Sequence, residues 1–235
     1  MKEKTYLPEE EIQILERLSS IHGEESYVDR INQLKRASSF WNERYLMGGN
    51  SGKGSRGKKR RIKWEHIKKL IGTFQSVIDV GCGDLAFWDN RFAKKIMTQS
   101  GFNYVGIDYS EVIINKNRDR YQEFKFICTG SNLLVPHLKA DVVICFDLLF
   151  HLLDEAVFVE TIKNLSKYSR NWIVIGTWIN SPKQYNTAYQ EFRQLENYLE
   201  VFHKESFELI EPPIRYGNGI NAIYFFQKVM PEEEK

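Results

Sequence analysis

Asp79, Gly81, Gly83 and Asp108 are the residues whose types and spacing first suggest chemistry. Ser76-Val77-Ile78-Asp79-Val80-Gly81-Cys82-Gly83-Asp84 reads as a buried strand that runs into a glycine turn and then a helix. Glycines in such a turn let the backbone approach a ligand that any side chain would block. The next apolar run, Tyr104-Val105-Gly106-Ile107-Asp108, ends in a carboxylate beside that turn. There it can accept from both hydroxyls of a ribose. In open α/β sheets, ligands lie at the carboxyl ends of the strands, where the strand order reverses.

Two cofactor classes are compatible with these residues. Gly81, Gly83 and Ala86 satisfy the G-x-G-x-x-G/A spacing of dinucleotide-binding enzymes. An NAD-linked oxidoreductase is therefore one reading. Against it, Asp79 is an unfavourable neighbour for a pyrophosphate but a good partner for the cationic amino-acid end of S-adenosylmethionine. The remaining chain is also short for a separate substrate domain.

The elements that must position these residues follow from the apolar pattern. Further apolar runs end near Cys128, Phe146 and Thr177, with helical segments between most of them. Leu85–Ser100 reads as one helix closed by Gly101; Ser110 and Asp154 can cap the next two. This alternation predicts a parallel sheet covered on both faces. Tyr185, Tyr189, Phe192, Leu195, Leu199 and Phe202 form an amphipathic stripe. The chain then departs from alternation. Phe207–Ile210 and Ala222–Val229 read as strands with no helix between them, joined through Pro212-Pro213 and Gly217-Asn218-Gly219. Such strands predict an antiparallel hairpin on the sheet edge.

These motifs resemble the class I S-adenosylmethionine-dependent methyltransferases over about Ile71 to Val229. Asp79-Val80-Gly81-Cys82-Gly83 is similar to that family's first motif, and Val105-Gly106-Ile107-Asp108 to its ribose-binding strand end. Asp141-Val142-Val143-Ile144-Cys145-Phe146-Asp147 with Leu148-Leu149-Phe150-His151-Leu152 is similar to its fourth strand and the segment beside the methyl donor. The resemblance implies a Rossmann-like, mostly parallel seven-stranded sheet in the order 3-2-1-4-5-7-6, with strand 7 antiparallel. It implies S-adenosyl-L-methionine as cofactor, held by Asp79, Gly81, Cys82, Gly83, Asp108, Tyr109, Asp147 and Leu148. Leu85 departs from the family, standing where many members have a third glycine. Ser131 or Asn132 stands where the family often has an acidic adenine contact. His151 falls in the same region, as a general base or as a packing histidine. Trp41, Tyr45, Trp88 and Trp178 suit a core or a substrate cage.

Residues 1–70 form a helical, polar extension before a domain over 71–235. A helix start at Pro8 and a second helix from about Glu24 to Tyr45 are expected there. Gly48, Gly49, Gly52, Gly54 and Gly57 then break the helical pattern into a loop, with a short helix from Ile62 to Ile71 closed by Gly72. Lys53, Arg56, Lys58, Lys59, Arg60, Arg61 and Lys63 make this stretch basic. They read either as a solvated segment or as a patch for an anionic acceptor. The loop is expected to be mobile in the free protein and to close over the cofactor and acceptor.

The 235 residues are 42% hydrophobic and carry a net charge of only +2. That balance argues for a small-molecule acceptor over RNA, although the basic loop keeps RNA open. No run of about 20 apolar residues suggests a membrane span. Cys82, Cys128 and Cys145 show no metal-ligand spacing and suit reduced thiols in a cytoplasmic protein, one in a turn and two in buried strands. No feature of the sequence fixes an oligomeric state. A non-catalytic binding protein with this fold is the remaining class.

Overall fold

The computed structural model describes residues 38–179, 190–217 and 221–229. The helix expected near Pro8, most of the one expected from Glu24, and Tyr185 and Tyr189 of the aromatic stripe lie outside these residues. The helices are α1 (Ser38–Leu46), α2 (Gly57–Leu70), α3 (Arg91–Met97), α4 (Glu111–Arg120), α5 (Glu155–Tyr168) and α6 (Leu195–Lys204). The strands are β1 (Ser76–Val80), β2 (Asn103–Asp108), β3 (Lys125–Cys128), β4 (Ala140–Phe146), β5 (Ser169–Trp178), β6 (Phe207–Leu209), β7 (Ile214–Tyr216) and β8 (Asn221–Lys228).

These strands form one sheet in the order β3-β2-β1-β4-β5-β8-β6, with β7 also paired to β8. The first five are parallel, and β8 runs antiparallel to β5, β6 and β7. The order implied by the resemblance is present, with one strand more than its seven. Pro212 and Pro213 supply no backbone N–H and interrupt the outer strand. The edge therefore comes in two pieces: β6 pairs with Phe226–Lys228, and β7 with Asn221–Ile223.

Alternating side chains put two apolar layers on the sheet. Ile78 and Val80 meet Phe158, Ile162 and Leu165 of α5 and Tyr198 and Phe202 of α6. Val77 meets Trp64 and Ile67 of α2, Phe87 and Trp88, and Ala93 and Ile96 of α3. The core thus crosses the boundary drawn after residue 70. β4 is buried along nearly its whole length, as a central parallel strand covered on both faces must be.

Local chemistry explains where the elements stop. Ser110 Oγ and Asp154 Oδ1 accept the backbone N–H of Ile113 and Val157, so both cap as expected. The single helix expected over Leu85–Ser100 is two pieces. Leu85 sits at φ 58, a 3-10 turn follows over Ala86–Trp88, and Asn90 Oδ1 caps α3 through the N–H groups of Phe92 and Ala93. Gly72, at φ 75, ends α2 as expected, but α2 begins at Gly57 rather than Ile62. Cys82 and Cys145 are buried, whereas Cys128, expected in a buried strand, is exposed at the end of β3.

Candidate functional site

The glycine turn lies at the carboxyl end of β1. Gly81, at φ 79, and Cys82 both direct their N–H groups to Ile107 O, at 2.8 and 3.1 Å. A Cβ at Gly81 would press on the Leu148 side chain at 3.2 Å, and the left-handed backbone there strains any other residue, so glycine is favoured between the ends of β1 and β4. A Cβ at Gly83, at φ 51, would collide with Ser51 Oγ. The Gly83 carbonyl accepts from Asn117 Nδ2 at 2.7 Å, which anchors the turn to α4.

Asp108 closes the turn from the neighbouring strand. Its Oδ2 accepts from Gly83 N–H at 3.0 Å and its Oδ1 from Ser110 N–H at 2.9 Å. Burial raises its pKa to about 6, while the N–H donors of Ser110, Gly83 and Tyr109 hold it down. Each oxygen keeps a second lone pair, so an ionised Asp108 can still accept from two hydroxyls. Tyr109 follows it, half-buried, and burial raises the Tyr109 hydroxyl well above its ordinary range.

Asp79 sits below the same turn with one oxygen already committed. Its Oδ2 accepts the indole N–H of Trp88 at 2.7 Å and the Tyr104 hydroxyl at 3.0 Å. Burial lifts its pKa to about 6 against those two bonds. Trp88 reaches it because the 3-10 turn folds the indole back onto β1.

The glycine-rich loop is docked on this turn. Ser51 Oγ donates to Asp84 Oδ1 at 2.9 Å, and Asp84 N–H donates to Ser51 Oγ at 2.8 Å. Arg56 pairs with the other Asp84 oxygen, and the Tyr45 hydroxyl lies 3.1 Å from Ser51 Oγ. Further along, a Cβ at Gly54 would collide with the Asp147 carboxylate. The loop therefore spans from the end of β1 to the end of β4.

At the end of β4, Asp147 adopts φ 57 and accepts from Lys63 Nζ at 2.6 Å through Oδ2. Lys63 is fully buried. Its stem runs past Gly176, where a Cβ would stand 3.2 Å from Lys63 Cε, and its ammonium lies 4.5 Å from the centre of the Phe146 ring. Among the described residues, the other Asp147 oxygen is buried with no hydrogen-bond partner. His151 ends the 3-10 turn Leu149–His151, packed against Phe150 at 4.5 Å and edge-on to Trp41 at 5.4 Å. Trp41 and Trp178 are half-buried, while Trp88 and Tyr45 belong to the core.

The structure brings Asp79, Gly81, Cys82, Gly83, Asp108, Tyr109, Asp147, Leu148 and His151 to the carboxyl edge of one sheet. Ser131 and Asn132 follow β3 on the same edge. Ser131 Oγ is bonded to Thr161 Oγ1 at 2.9 Å, and its carbonyl accepts from Asn164, so its polar groups hold α5. Asn132 Oδ1 faces Gly130. Sequence reasoning did not single out Asp84, Ser51, Asn117 or Tyr216, and it did not foresee that Lys63 is buried. Asp84 could have been read as a fourth residue of the turn; the others carry no local signal. The basic segment is also less solvated than expected. Arg56, Lys59, Arg60 and Lys63 are bonded to Asp84, Asn221, the Ala86 carbonyl and Asp147 respectively.

A family model described as a methyltransferase domain matches residues 40–210, most of the chain. The chain belongs to the methyltransferase-domain family. It is an enzyme of the class I type, and its cofactor is S-adenosyl-L-methionine. A search of curated protein sequences returns no match. Solved structures share the methyltransferase fold at low identity. Magnesium protoporphyrin IX methyltransferase from Synechocystis PCC 6803 with bound S-adenosylhomocysteine is 13% identical, with a TM-score of 0.57 over 93% of this chain and 94% of that one. The N-methyltransferase NodS from Bradyrhizobium japonicum WM9 is 13% identical, with a TM-score of 0.58 over 84% of this chain and 97% of that one. The [4+2]-cyclase SpnF is 13% identical, with a TM-score of 0.57 over 80% and 91%. The residues of this methyltransferase fit the cofactor: a cradle at Gly81 that a Cβ would fill, spare lone pairs on Asp108, and a buried Asp147 oxygen without a partner. Among the described residues, no helix is long and apolar enough to cross a membrane.

Proposed function

We propose that this methyltransferase acts on an anionic small molecule, with the cofactor held at the glycine turn and the acceptor at the β4–β5 end. The observation that carries the cofactor half of the reading is Asp108 locked to Gly83 N–H at 3.0 Å, a carboxylate fixed beside a turn in which two of three residues are glycine. When bound, S-adenosyl-L-methionine supplies a sulfonium methyl that is already activated, so the protein chiefly aligns the partners and excludes water.

The residues divide that work. Asp108 accepts the ribose hydroxyls, and Gly81, Cys82 and Gly83 present backbone to the cofactor. Asp147 Oδ1 accepts from its ammonium group, a role that Asp79 shares only through the oxygen not held by Trp88 and Tyr104. Tyr109, Leu148, Ser131 and Asn132 border the nucleoside. His151 takes the proton from an acceptor hydroxyl or ammonium as the new bond forms. The docked loop from Ser51 to Arg56 keeps water out.

The small-molecule reading is favoured over RNA by the internal bonding of the basic segment, which removes Arg56, Arg60 and Lys63 from any phosphate track. Fold relatives named for magnesium protoporphyrin IX and for N-methylation agree with it. The relative named as a cyclase makes turnover the necessary test. The antiparallel β8 beside β5 departs from the repeated mononucleotide halves of a dinucleotide fold, which disfavours NAD. The experiment is a labelled-methyl transfer assay over cell extract fractionated into RNA, protein and small molecules. Label should enter an acidic small-molecule fraction. Label confined to RNA or protein, or no label in any fraction, would overturn the proposal.

A further inference from the structure

Across the sheet edge from the glycine turn lies a second polar cluster that the cofactor reading leaves unused. In the register of β5, β8 and β7, Trp178 stands opposite Asn221, and Asn221 opposite Tyr216. Directly opposed residues of neighbouring strands point to the same face. On that face α2 lays Lys59 one helical turn before Lys63. Lys59 Nζ donates to Asn221 Oδ1 at 2.9 Å and stands 5.9 Å from the Trp178 ring centre.

Three observations show that this cluster is incomplete. The Tyr216 hydroxyl belongs to a side chain that is only 7% exposed, and among the described residues it has no hydrogen-bond partner. A buried hydroxyl in that condition loses its hydrogen bonds to water with nothing in return unless something binds it. Lys59 uses one of three donors on Asn221, and its half-buried ammonium is pushed below its ordinary range by burial, against the opposing charge of Asp147 and with the charges of Lys63 and Lys53. The charges do not balance either. Asp147 is the carboxylate facing both lysines, and Lys63 already holds it at 2.6 Å. Beside the Asp147 oxygen that the cofactor reading uses, and whose charge also reaches the Tyr216 hydroxyl, the cluster holds the Lys59 cation and one unpartnered O–H donor.

We propose that Lys59 and Tyr216, braced by Asn221, form the anchor for an oxyanion on the methyl acceptor, a carboxylate or a phosphate. The proposal rests on the reading of this edge as the methyl-transfer site and assigns its substrate class to named residues. An oxyanion would accept from the Lys59 ammonium and from the Tyr216 hydroxyl, and charge-assisted bonds of this kind are about twice as strong as neutral ones. Trp178 carries the apolar wall from this anchor to Phe150 at 5.5 Å, and Phe150 meets His151. The acceptor body would therefore lie along an aromatic surface, with its anion at Lys59 and its nucleophile toward His151.

The test uses protein saturated with S-adenosylhomocysteine and three probes: benzoate, phenyl phosphate and the neutral benzamide. Affinities are read by ligand-observed NMR in wild type, Tyr216→Phe and Lys59→Met, and S-adenosylhomocysteine affinity is measured separately by calorimetry. In wild type, one of the anions should bind about tenfold or more tighter than benzamide, the scale of one charge-assisted hydrogen bond. Which anion wins distinguishes carboxylate from phosphate. In either variant the preference should shrink to about threefold or less, with S-adenosylhomocysteine affinity unchanged. Equal binding of all three probes to wild type, or an anion preference kept in Tyr216→Phe, overturns the anchor while leaving the cofactor reading intact. Loss of S-adenosylhomocysteine affinity in Tyr216→Phe would assign the hydroxyl to the cofactor and also overturn it. Failure of wild type to bind S-adenosylhomocysteine would instead strike the underlying reading. Tyr216→Phe removes one oxygen from a hydroxyl that has no partner, so it keeps the test decisive if Lys59→Met fails to fold.

Discussion

At the β1–β2 end of the sheet, the site is made from backbone and one strand-end carboxylate: Gly81, Gly83 and Asp108, with Asp108 bonded to the turn it flanks. At the β4–β8 end, it is made from Lys59, Lys63, Asp147, Trp178, Tyr216 and Asn221, which come from α2, β5, β7, β8 and the turn after β4. The first end fits a group common to a whole family. The second is assembled from distant side chains, carries a fully buried lysine, and leaves two polar atoms without partners. On the proposed reading, the cofactor is recognised mainly through local geometry that tolerates little change, with Asp147 the one group shared between the two ends, and the acceptor through side chains that can vary singly.

That contrast can be broken or sharpened by substitution. The largest effect is expected at His151. As general base, His151→Ala should lower turnover about 10²–10⁴-fold with cofactor affinity nearly intact. Near-normal turnover of the labelled acceptor would reduce His151 to a packing residue beside Trp41 and Phe150. Lys63→Met comes next. It leaves the Asp147 carboxylate buried without its cation, and breaking such a pair costs about 3–5 kcal/mol. Adding Asp147→Asn should recover part of that loss in urea denaturation; a Lys63→Met protein as stable as wild type would show that the pair is solvated.

A pH dependence separates the two ends. Burial raises the pKa of both Asp79 and Asp108 to about 6, above the unfolded value of about 3.9. The folded state therefore binds protons more tightly. These groups stabilise the fold below about pH 4, and that contribution is lost as pH rises to about 6. Cofactor affinity runs the other way, because only the ionised Asp108 accepts from two hydroxyls. Affinity should rise with pH to about 6 and level off, its slope below that approaching about tenfold per pH unit. Asp108→Asn should flatten most of this slope; an unaltered profile would detach Asp108 from the cofactor. The smallest effect of a single substitution is expected in the loop, at Arg56. The Arg56 side chain is 41% exposed, so Arg56→Ala should change stability by about 1 kcal/mol or less. Deletion of residues 50–56 should nevertheless abolish methyl transfer, and full activity would show that the loop is no lid.

Sequence alone reveals the two ends unequally, and the reason is physical. Asp79 to Gly83 and Asp108 are legible because the turn is written in consecutive residues and the strand period fixes what lies beside it. Strand–helix alternation and the final hairpin make a parallel sheet with an antiparallel edge legible, and the strand order comes from the family resemblance that the motifs carry. The break at Leu85 to Asn90 is not, because it depends on the Trp88 indole reaching Asp79 across the fold. Lys63 could not be told from its charged neighbours, since its burial depends on the room left by Gly176 on another strand. Tyr216 gave no signal, because an unpartnered hydroxyl is a property of what surrounds it. The proline pair reads as a connection in the sequence, and the short strand Ile214–Tyr216 is formed by its pairing with β8.

The central claim is that Asp108 and the glycine turn hold S-adenosyl-L-methionine. Calorimetric titration of the cofactor into wild type and Asp108→Ala at neutral pH tests it most directly. The account predicts saturable binding to wild type and binding weaker by about 1.5–3 kcal/mol in the folded variant, the scale of hydrogen bonds to a charged group. Equal affinity in the two proteins, or no binding to wild type, would contradict it.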